Sequence, residues 1–384
     1  MMQSAWQLEQ PYFSSASNPK ISYFSSKNNL EMRVLKYTVV FILPALFVAG
    51  VYLGSWWTFG PVLFAFGFIP FLELLFKPSE ENLDSAEKEM RLEDKAYDLL
   101  LYSVVPVIFG SLLLYLFSIT TYSFNTKELI GLTFSLGVIL GGMGINVAHE
   151  LGHRQTAHEQ FMSKALLLPS AYMHFFIEHN RGHHKNVSTH EDPASARLNE
   201  TLYHFWIRSV VYSFFSSWDL ERKRLQRAKE PVCSLKNEMI RFQLIQIGFW
   251  VLIGLVFGGV SLLFYTGAAI VGFLMLETVN YIEHYGLARN KVSDNRYERV
   301  EPIHSWNSNH IIGRVMLFEL SRHSDHHYKP EKKYQVLEHH HNSPQMPTGY
   351  PGMMLLSALP PVWFFTMNKR IRGKQKESLP VQTA

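Results

Sequence analysis

The sequence predicts an all-α polytopic membrane protein with about six transmembrane helices and a helical cap on one side. Two observations lead to this prediction: long segments without charged residues, and the confinement of Lys and Arg to alternate connections between them. The mean hydropathy of −0.02 resembles that of a soluble protein because uncharged segments alternate with strongly charged ones. The average composition therefore hides the membrane segments.

Four long segments are almost free of charge: 37–72, 99–126, 129–148 and 242–282. Only the last contains a charged residue, Glu277. About 20 apolar residues cross the roughly 30 Å hydrocarbon core. The predicted spans lie near 34–54, 56–76, 97–119, 128–148, 242–262 and 264–283. Buried helices of a large soluble protein would be shorter, with polar interruptions.

The short connections on one side of the membrane carry one basic residue, Lys127. These connections are Gly54–Gly60, Thr120–Lys127 and Gly258–Gly267. Almost all of the 36 Lys and Arg lie in the other segments, which the positive-inside rule places in the cytoplasm with both termini. We expect a flexible cytoplasmic tail at 1–33, one membrane-embedded domain at 34–367, and a basic, polar tail at 368–384.

Two further apolar segments are harder to place. Leu202–Trp218 is apolar and aromatic but too short to span comfortably, so we predict a helix that lies in the membrane interface. Pro351–Phe365 contains two adjacent prolines. It is predicted to be interfacial or re-entrant, and a seventh span there is the main alternative.

Nine of the 18 histidines form a pattern of short spacings. They are His149, His153, His179, His183, His184, His284, His323, His326 and His327. Residues three or four apart share a helix face, and the predicted topology brings all nine to the cytoplasmic ends of the spans. Nine rings exceed what one metal ion holds, so two metals are predicted. With a single cysteine in the chain, a thiolate site is excluded, and zinc, copper, iron and nickel stay open.

Acidic residues accompany these histidines in the sequence. They are Glu150, Glu178, Asp192, Glu283 and Asp325. We expect them to fix ring tautomers and offset the metal charge, and direct ligation is an alternative role for one or two of them. His310 is a candidate for a similar supporting role. The solitary histidines and the run His339–His341 are predicted not to be ligands.

The string His149–His153 also matches the H-E-x-x-H signature of zinc proteases, in which Glu150 would activate water. An intramembrane zinc protease needs only one further ligand and leaves six clustered histidines unused. A copper oxidase or a metal transporter is a further alternative. A transporter, however, would place its ligands at mid-membrane depth rather than at span ends.

Six strings in order resemble a known family: NVAHELGHR, FIEHNRGHHKNVSTHEDPASAR, NYIEHYGLAR, HSWNSNH, SRHSDHHYKPEKKYQVL and MPTGYPGM. Over residues 35–367 the chain resembles the bacterial alkane 1-monooxygenases, within the integral-membrane di-iron desaturases and hydroxylases. The NYIEHYG string separates it from fatty-acyl desaturases, whose histidine boxes are otherwise similar. Xylene and related side-chain monooxygenases are the neighbouring alternative.

The resemblance implies terminal hydroxylation of medium- to long-chain n-alkanes in the bacterial inner membrane. It implies dioxygen as co-substrate and two irons held by the nine histidines. Electrons would come from a separate rubredoxin, itself reduced by a flavin reductase. No nucleic-acid partner is expected.

Two sets of residues complete the predictions. Small residues in the fourth span, including Gly141 and Gly144, would leave room for substrate near the metals, with Trp56 and Trp57 closing the outer end of the channel. Ordinary helix packing is the alternative for all four. The basic stretch Glu221–Lys229 would dock an acidic rubredoxin, with attraction to anionic lipid as the alternative. Its cations include Arg222, Lys223, Arg224 and Arg227.

Overall fold

The computed structural model describes residues 33–294 and 296–375, and this part of the chain is mostly helical. Its helices are α1 (Arg33–Leu53), α2 (Ser55–Leu75), α3 (Ser85–Glu93), α4 (Ala96–Thr121), α5 (Thr126–Gly152), α6 (Ala157–Leu167), α7 (175–186), α8 (Leu202–Arg227), α9 (Glu238–His284), α10 (Ile311–Met316), α11 (His323–Tyr328), α12 (Tyr350–Ser357) and α13 (Pro360–Gln375). Strands β1 (Lys291–Ser293) and β2 (Arg296–Tyr297) pair antiparallel. Except for Arg33, the predicted N-terminal tail lies outside the described residues.

Five described helices are long and apolar enough to cross a membrane: α1, α2, α4, α5 and α9. Helix α9 has 47 residues and is interrupted at Gly258, where φ is 82° and ψ is 167°. The rings of Phe249 and Tyr265 lie 6.1 Å apart across this break. In a straight helix, residues 16 apart would be separated by about 24 Å. The two arms of α9 therefore fold back on each other as a hairpin.

The hairpin turn lies at Gly258, inside the predicted span 242–262. Hydropathy does not fall at this point, because Val260, Leu262 and Leu263 continue the apolar sequence. A positive φ is accessible to glycine at little cost, so the turn needs no polar loop. The predicted connection Gly258–Gly267 is for the most part helical.

Helices α5 and α9 approach each other closely through glycines. A Cβ on Gly137 would lie 2.5 Å from Val271 Cβ, and one on Gly141 would lie 2.7 Å from the carbonyl oxygen of Gly272. Small residues allow this separation between membrane helices. The contact places the histidine-bearing end of α5 next to the histidine-bearing end of α9.

The segments 153–237 and 285–349, called the cap below, connect and follow the long helices in the chain. Glu319 of the cap is buried and joins α10, which is also part of the cap, to α1. Its carboxylate accepts hydrogen bonds from Tyr37 Oη at 2.8 Å and Arg314 Nε at 2.6 Å, and it pairs with Lys36 Nζ at 3.0 Å. A buried carboxylate needs such partners to offset its lost hydration.

Helix α8 contains the segment that we predicted to lie in the interface. Exposed apolar side chains follow one side of it at helical spacing: Tyr203, Ile207, Val211, Tyr212 and Phe215. This surface fits an interfacial helix, whose placement in the membrane stays a prediction.

The segment 351–365 forms two helices, α12 and the start of α13. Pro360 and Pro361 occupy the first turn of α13. Proline is tolerated there because backbone N–H groups in the first turn have no partner within the helix. Helix α13 continues past the predicted domain boundary at 368, and Ile371 packs in the core. The predicted C-terminal tail therefore begins inside a helix, because Met367 and Ile371 continue its buried face.

Candidate metal centre

The nine predicted histidines come together in two neighbouring groups. The first group contains His149, His153, His179, His184 and His326, and the second contains His183, His284, His323 and His327. Within each group the candidate ligand atoms all lie within 4.8 Å of one another. The structure thus divides the set into five and four.

Helices α7 and α11 contribute to both groups. Residues adjacent in a helix point about 100° apart, and this sends His183 to the second group and His184 to the first. Residues His179–His183 form a π-helical turn. Because a π-turn aligns residues five apart, His179 and His184 point to the same group. In α11, His323 and His327 share a group at the usual spacing of four.

Ring nitrogens converge within each group. His179 Nε2 lies 3.1 Å from His153 Nε2 and 3.0 Å from His184 Nε2. In the second group, His183 Nε2 lies 3.2 Å from His327 Nε2. His284 Nε2 likewise lies 3.2 Å from His323 Nε2. Two nitrogens bound to one metal at 2.0–2.1 Å and near a right angle would be about 3 Å apart. Both groups therefore fit a metal ion.

Burial keeps these rings in the form that binds metal. Burial, together with the nearby His183 and Arg154, lowers the pKa of His153 to about 3. The pKa values of other cap histidines are lowered well below the ordinary value for the same reason, among them His179, His184, His323, His326 and His327. Neutral imidazole offers a lone pair to a metal, whereas imidazolium does not.

Two of the five predicted carboxylates contact the histidines. Asp192 Oδ2 lies 2.8 Å from His183 Nδ1, and this contact orients the ring. Glu283 Oε2 lies 3.1 Å from His323 Nε2, and Glu283 Oε1 accepts a hydrogen bond from Tyr350 Oη at 2.7 Å. Because His323 Nε2 faces the second group, Glu283 is placed to supply an oxygen ligand there.

Glu150 and Asp325 have other partners. Glu150 accepts hydrogen bonds from Arg154 at 2.7 Å and from the backbone N–H of Tyr334 at 3.2 Å. Asp325 Oδ2 pairs with Lys332 at 2.8 Å, and Asp325 Oδ1 lies 2.8 Å from His340 Nε2. On a helix, an acidic side chain one or two positions from a histidine points in a different direction from that histidine. Adjacency in the sequence therefore did not predict a contact between the two side chains.

Glu178 and His310 also do not support the rings directly. Glu178 Oε1 is buried, with no hydrogen-bond partner among the described residues. His310 Nδ1 lies 3.1 Å from Ser308 Oγ at the start of α10.

The sequence analysis missed a small polar cavity beside His179 and His183. Glu277 and Asn280 of α9 line it together with His174. Tyr172 Oη donates to Glu277 at 2.7 Å. Glu277, the single charged residue in an otherwise apolar segment, was the sequence feature that could have indicated this cavity. His174 gave no such indication, because it stands alone in the sequence.

Glu80, His339 and His341 form a third cluster, with ligand atoms within 4.8 Å. The amide Nδ2 of Asn309 lies 2.9 Å from His339 Nδ1, and Gln345 Oε1 fixes the orientation of that amide. His339 Nδ1 therefore accepts a hydrogen bond from the Asn309 amide. The ring proton is then on Nε2, the nitrogen that faces Glu80. A protonated nitrogen has no lone pair for a metal, so this cluster resembles a contact between a neutral imidazole and a carboxylate more than a metal site.

An apolar cavity of about 110 Å³ ends at the histidines. His149, His179, His323 and Glu283 line its polar end, and its apolar walls include Leu43, Ala65, Val138, Gly141, Met275 and Leu317. Val138 precedes His149 by 11 residues on α5, which corresponds to about 16 Å. The cavity thus follows α5 from the metal groups into the apolar bundle.

Of the four predicted channel residues, only Gly141 lines this cavity among the described residues. A Cβ on Gly144 would face Ile108 of α4 at 3.3 Å. Trp56 and Trp57 are 65% and 54% exposed at the corner between α1 and α2, and Lys127 Nζ lies 3.2 Å from the centre of the Trp56 ring. Exposed tryptophans at helix ends are typical of the aromatic belt at a membrane interface.

Most of the predicted docking cations are paired with acids. Arg222 and Lys223 both contact Asp219, and Arg224 contacts the buried Glu221. Arg227 is exposed at the end of α8. The basic surface is therefore more nearly neutral than the sequence suggested, since the acids that offset it also lie on α8.

Fold and site together define a helical membrane metalloprotein with two adjacent histidine groups at the end of an apolar cavity. Residues 128–357 match the fatty acid desaturase family model. The chain is 40% identical over 321 residues to alkane 1-monooxygenase 1 of Pseudomonas aeruginosa, covering 83% of the chain and 84% of the relative. It is 39% identical over 331 residues to alkane 1-monooxygenase of Pseudomonas putida, covering 84% and 81%.

A more distant relative is the hydroxylase component of a xylene/toluene monooxygenase of Pseudomonas putida. It is 25% identical over 345 residues, which cover 88% of the chain and 89% of the relative. The chain belongs to the alkane 1-monooxygenases of the fatty acid desaturase family.

Proposed function

We propose that the protein hydroxylates medium- to long-chain n-alkanes at the terminal carbon, using dioxygen and two irons. The observation that carries this proposal is the apolar cavity that ends at two converging histidine groups. An alkane 1-monooxygenase is also 40% identical to this chain, whereas the xylene/toluene relative is 25% identical. Linear alkanes are therefore favoured over alkyl-aromatic and fatty-acyl substrates.

The five-histidine group would hold one iron and the four-histidine group the other, with Glu283 available as an oxygen donor to the second. When bound, the irons would supply the activation of dioxygen. Asp192 holds a proton on His183 Nδ1, which leaves the Nε2 lone pair of that ring facing the metal position. Tyr350 orients Glu283 in the same manner from the cavity wall.

The cavity walls bind and aim the substrate. An alkane has no polar group, so binding comes from burial, at roughly 0.8 kcal/mol per CH₂. The stronger terminal C–H bond is selected by geometry, because a narrow slot along α5 presents only the chain end to the histidines. The apolar lining also keeps water from the reacting carbon.

The zinc-protease alternative lacks its catalytic base. In an H-E-x-x-H hydrolase the glutamate must reach the metal-bound water. Here the Glu150 carboxylate is held by Arg154 and the Tyr334 backbone. Nine converging imidazoles also exceed what that chemistry uses.

We further propose six passes through the bacterial inner membrane, with both termini and the site on the cytoplasmic side. The hairpin at Gly258 supports this count, because it divides α9 into two arms. With two arms, the ends of α5 and α9 that carry His149 and His284 meet at the same membrane face.

The proposed electron donor is a separate rubredoxin, reduced by a flavin reductase. Its proposed docking surface includes Lys223 and Arg227 of α8, through attraction to an acidic partner. Reversing both charges should slow electron transfer mainly at low salt. Unchanged turnover across salt concentrations, at subsaturating rubredoxin, would remove the docking proposal and favour lipid contact.

The direct test is a product assay with purified protein in lipid vesicles, rubredoxin and its reductase. Octane and hexadecane should give their 1-alkanols, and p-xylene should react more slowly. His284→Ala should abolish the reaction, whereas His158→Ala, at an exposed histidine outside both groups, should not. Oxidation of p-xylene without oxidation of either alkane would contradict the proposed substrate class.

A further inference from the structure

Glu73 is a buried carboxylate near the cap end of α2, in a helix that is otherwise uncharged. Its side chain is only 3% exposed. Burying an acid in an apolar helix bundle is costly unless the carboxylate has partners. Its partners therefore indicate why it is there.

The Glu73 carboxylate touches two segments that are far away in sequence. Its Oε1 accepts a hydrogen bond from the backbone N–H of Gly313 in α10 at 3.0 Å. A Cβ on Gly313 would lie 2.6 Å from the same oxygen. A Cβ on Gly349 would overlap both carboxylate oxygens. The carboxylate thus fills the space that any side chain at 349 would need.

Gly349 is the N-cap residue of α12. A carboxylate at the start of an eight-residue helix is favoured by the unpaired N–H groups there. Glu73 therefore joins α2 to α10 by a hydrogen bond and to the start of α12 by close packing against Gly349.

Each of these three helices forms a wall of the alkane cavity. Helix α2 contributes Ala65 and Ile69, α10 contributes Met316, and α12 contributes Tyr350 and Met354. Among the described residues, Glu73 does not itself line the cavity. It lies behind the walls, where it determines their separation.

Helix α12 also leads to the metal centre. Tyr350, the residue after Gly349, donates its hydroxyl to Glu283, whose other oxygen lies 3.1 Å from His323 Nε2. A shift of α12 would therefore move both a cavity wall and the orientation of Glu283.

We propose that Glu73 is a positioning residue that holds the alkane cavity narrow, and thereby determines which carbon reaches the metal centre. This inference rests on the proposed function, in that the cavity must hold the alkane. Without the carboxylate, α10 and α12 lose their common contact and the slot widens. The substrate then turns, and carbons next to the terminal one are exposed to reaction.

The test compares Glu73→Ala with Glu73→Gln in the full chain, supplied with rubredoxin and reductase. Product position is measured with octane, together with alcohol formed per dioxygen consumed, KM and iron content. Glu73→Ala should raise the fraction of 2-octanol at least fivefold and lower the coupling to dioxygen, with iron content retained. Glu73→Gln keeps an acceptor for Gly313 and should behave like the wild type.

Gly349→Ala provides an independent route to the same change, because its methyl group displaces the carboxylate. Gly349→Ala and Glu73→Ala should raise the fraction of 2-octanol to a similar extent. The double variant should form no larger a fraction of 2-octanol than either single variant. Gly67→Ala is the matched control on α2, since no atom lies within 4 Å of that Cβ position. If the Glu73→Ala protein does not accumulate in the membrane, the products of Gly349→Ala alone test the inference.

Product ratios and coupling equal to the wild type in either variant, with iron content intact, would overturn the inference. Additive effects in the double variant would do so as well, because they would separate the two residues. Failure of the proposed function would look different, since the wild type itself would then form no 1-octanol.

Discussion

Asp192 is a fully buried carboxylate whose Oδ2 lies 2.8 Å from His183 Nδ1. Its Oδ1 accepts a hydrogen bond from the backbone N–H of Ala194 at 3.0 Å, so its position does not depend on the histidine. A rigid acceptor behind the ring fixes the tautomer that leaves Nε2 free for metal. Asp192 is therefore placed to orient the His183 ring of the four-histidine group.

Asp192→Asn should weaken metal binding at the four-histidine group by about 10- to 100-fold. The uncharged amide stabilises the polarised ring less well, while its size is nearly the same. Iron titration of the purified variant, followed by its visible spectrum, measures the effect. Asp219→Asn, on the exposed side of α8, should bind iron normally. Equal affinities in the two variants would argue against this role for Asp192.

Glu319 provides a test of stability against pH. Burial raises the pKa of its carboxyl, but Arg314 and Lys36 outweigh burial and lower it to about 2, from an ordinary value of 4.5. A depressed native pKa stabilises the fold above the unfolded value, and this stabilisation is lost as the pH falls from 4.5 towards 2. Thermal unfolding of the detergent-solubilised protein should therefore weaken through that range.

Glu319→Gln should cost about 3–5 kcal/mol near neutral pH, because the cations around it lose their partner. The variant should also show a shallower loss of stability below pH 4.5 than the wild type. Glu331→Gln, at an exposed acid, is the control. An unchanged acid profile in Glu319→Gln would contradict the assignment.

At the element scale, helices α5 and α9 bring the two ends of the site together through their glycine contact. The charge pattern predicted the long helices, and residue spacing singled out the nine histidines that the structure brings into two groups. The pattern did not predict how they divide into groups, because the π-helical turn at His179–His183 changes the alignment from four residues to five. It also did not predict the partners of Glu150 and Asp325, since sequence proximity does not determine which way a helical side chain points.

Gly137→Ala should push α5 away from α9, because the new methyl group would meet Val271 and the carbonyl of Ala268. Overpacking of this kind costs typically about 1–3 kcal/mol. We expect a lower unfolding temperature and partial loss of iron, since His149 and His284 lie at the ends of these helices. Gly248→Ala, a position on α9 with open space around it, should have neither effect. An unfolding temperature of Gly137→Ala equal to that of the wild type would contradict the prediction, because it would show that α5 and α9 accommodate the methyl group without cost.

At the scale of the whole molecule, the cavity is a slot whose closed end is the histidine site and whose length follows α5. Its position could not be predicted from the sequence, because its walls come from α1, α2, α5, α9, α10 and α12 together. Trp56 and Trp57, predicted to close its outer end, are not among the described residues that line it. The depth of such a slot should set the longest alkane that reacts.

Val138→Phe should shorten the slot at the end away from the histidines. Each methylene that no longer fits would cost roughly 0.8 kcal/mol of binding. Hexadecane hydroxylation should fall more than octane hydroxylation, measured as kcat/KM for both. Phe134→Val, at an exposed position one turn earlier on α5, is the control and should leave the ratio unchanged. An equal fall for both alkanes in Val138→Phe would contradict the slot geometry.

We propose that the five- and four-histidine groups each hold one iron. Metal analysis of protein purified from iron-supplemented cells tests it most directly, since ligand loss should empty one group without the other. We expect about two irons per wild-type chain, and about one in His284→Ala, which removes a ligand of the four-histidine group only. A wild-type chain with a single metal ion, or with zinc in place of iron, would contradict it.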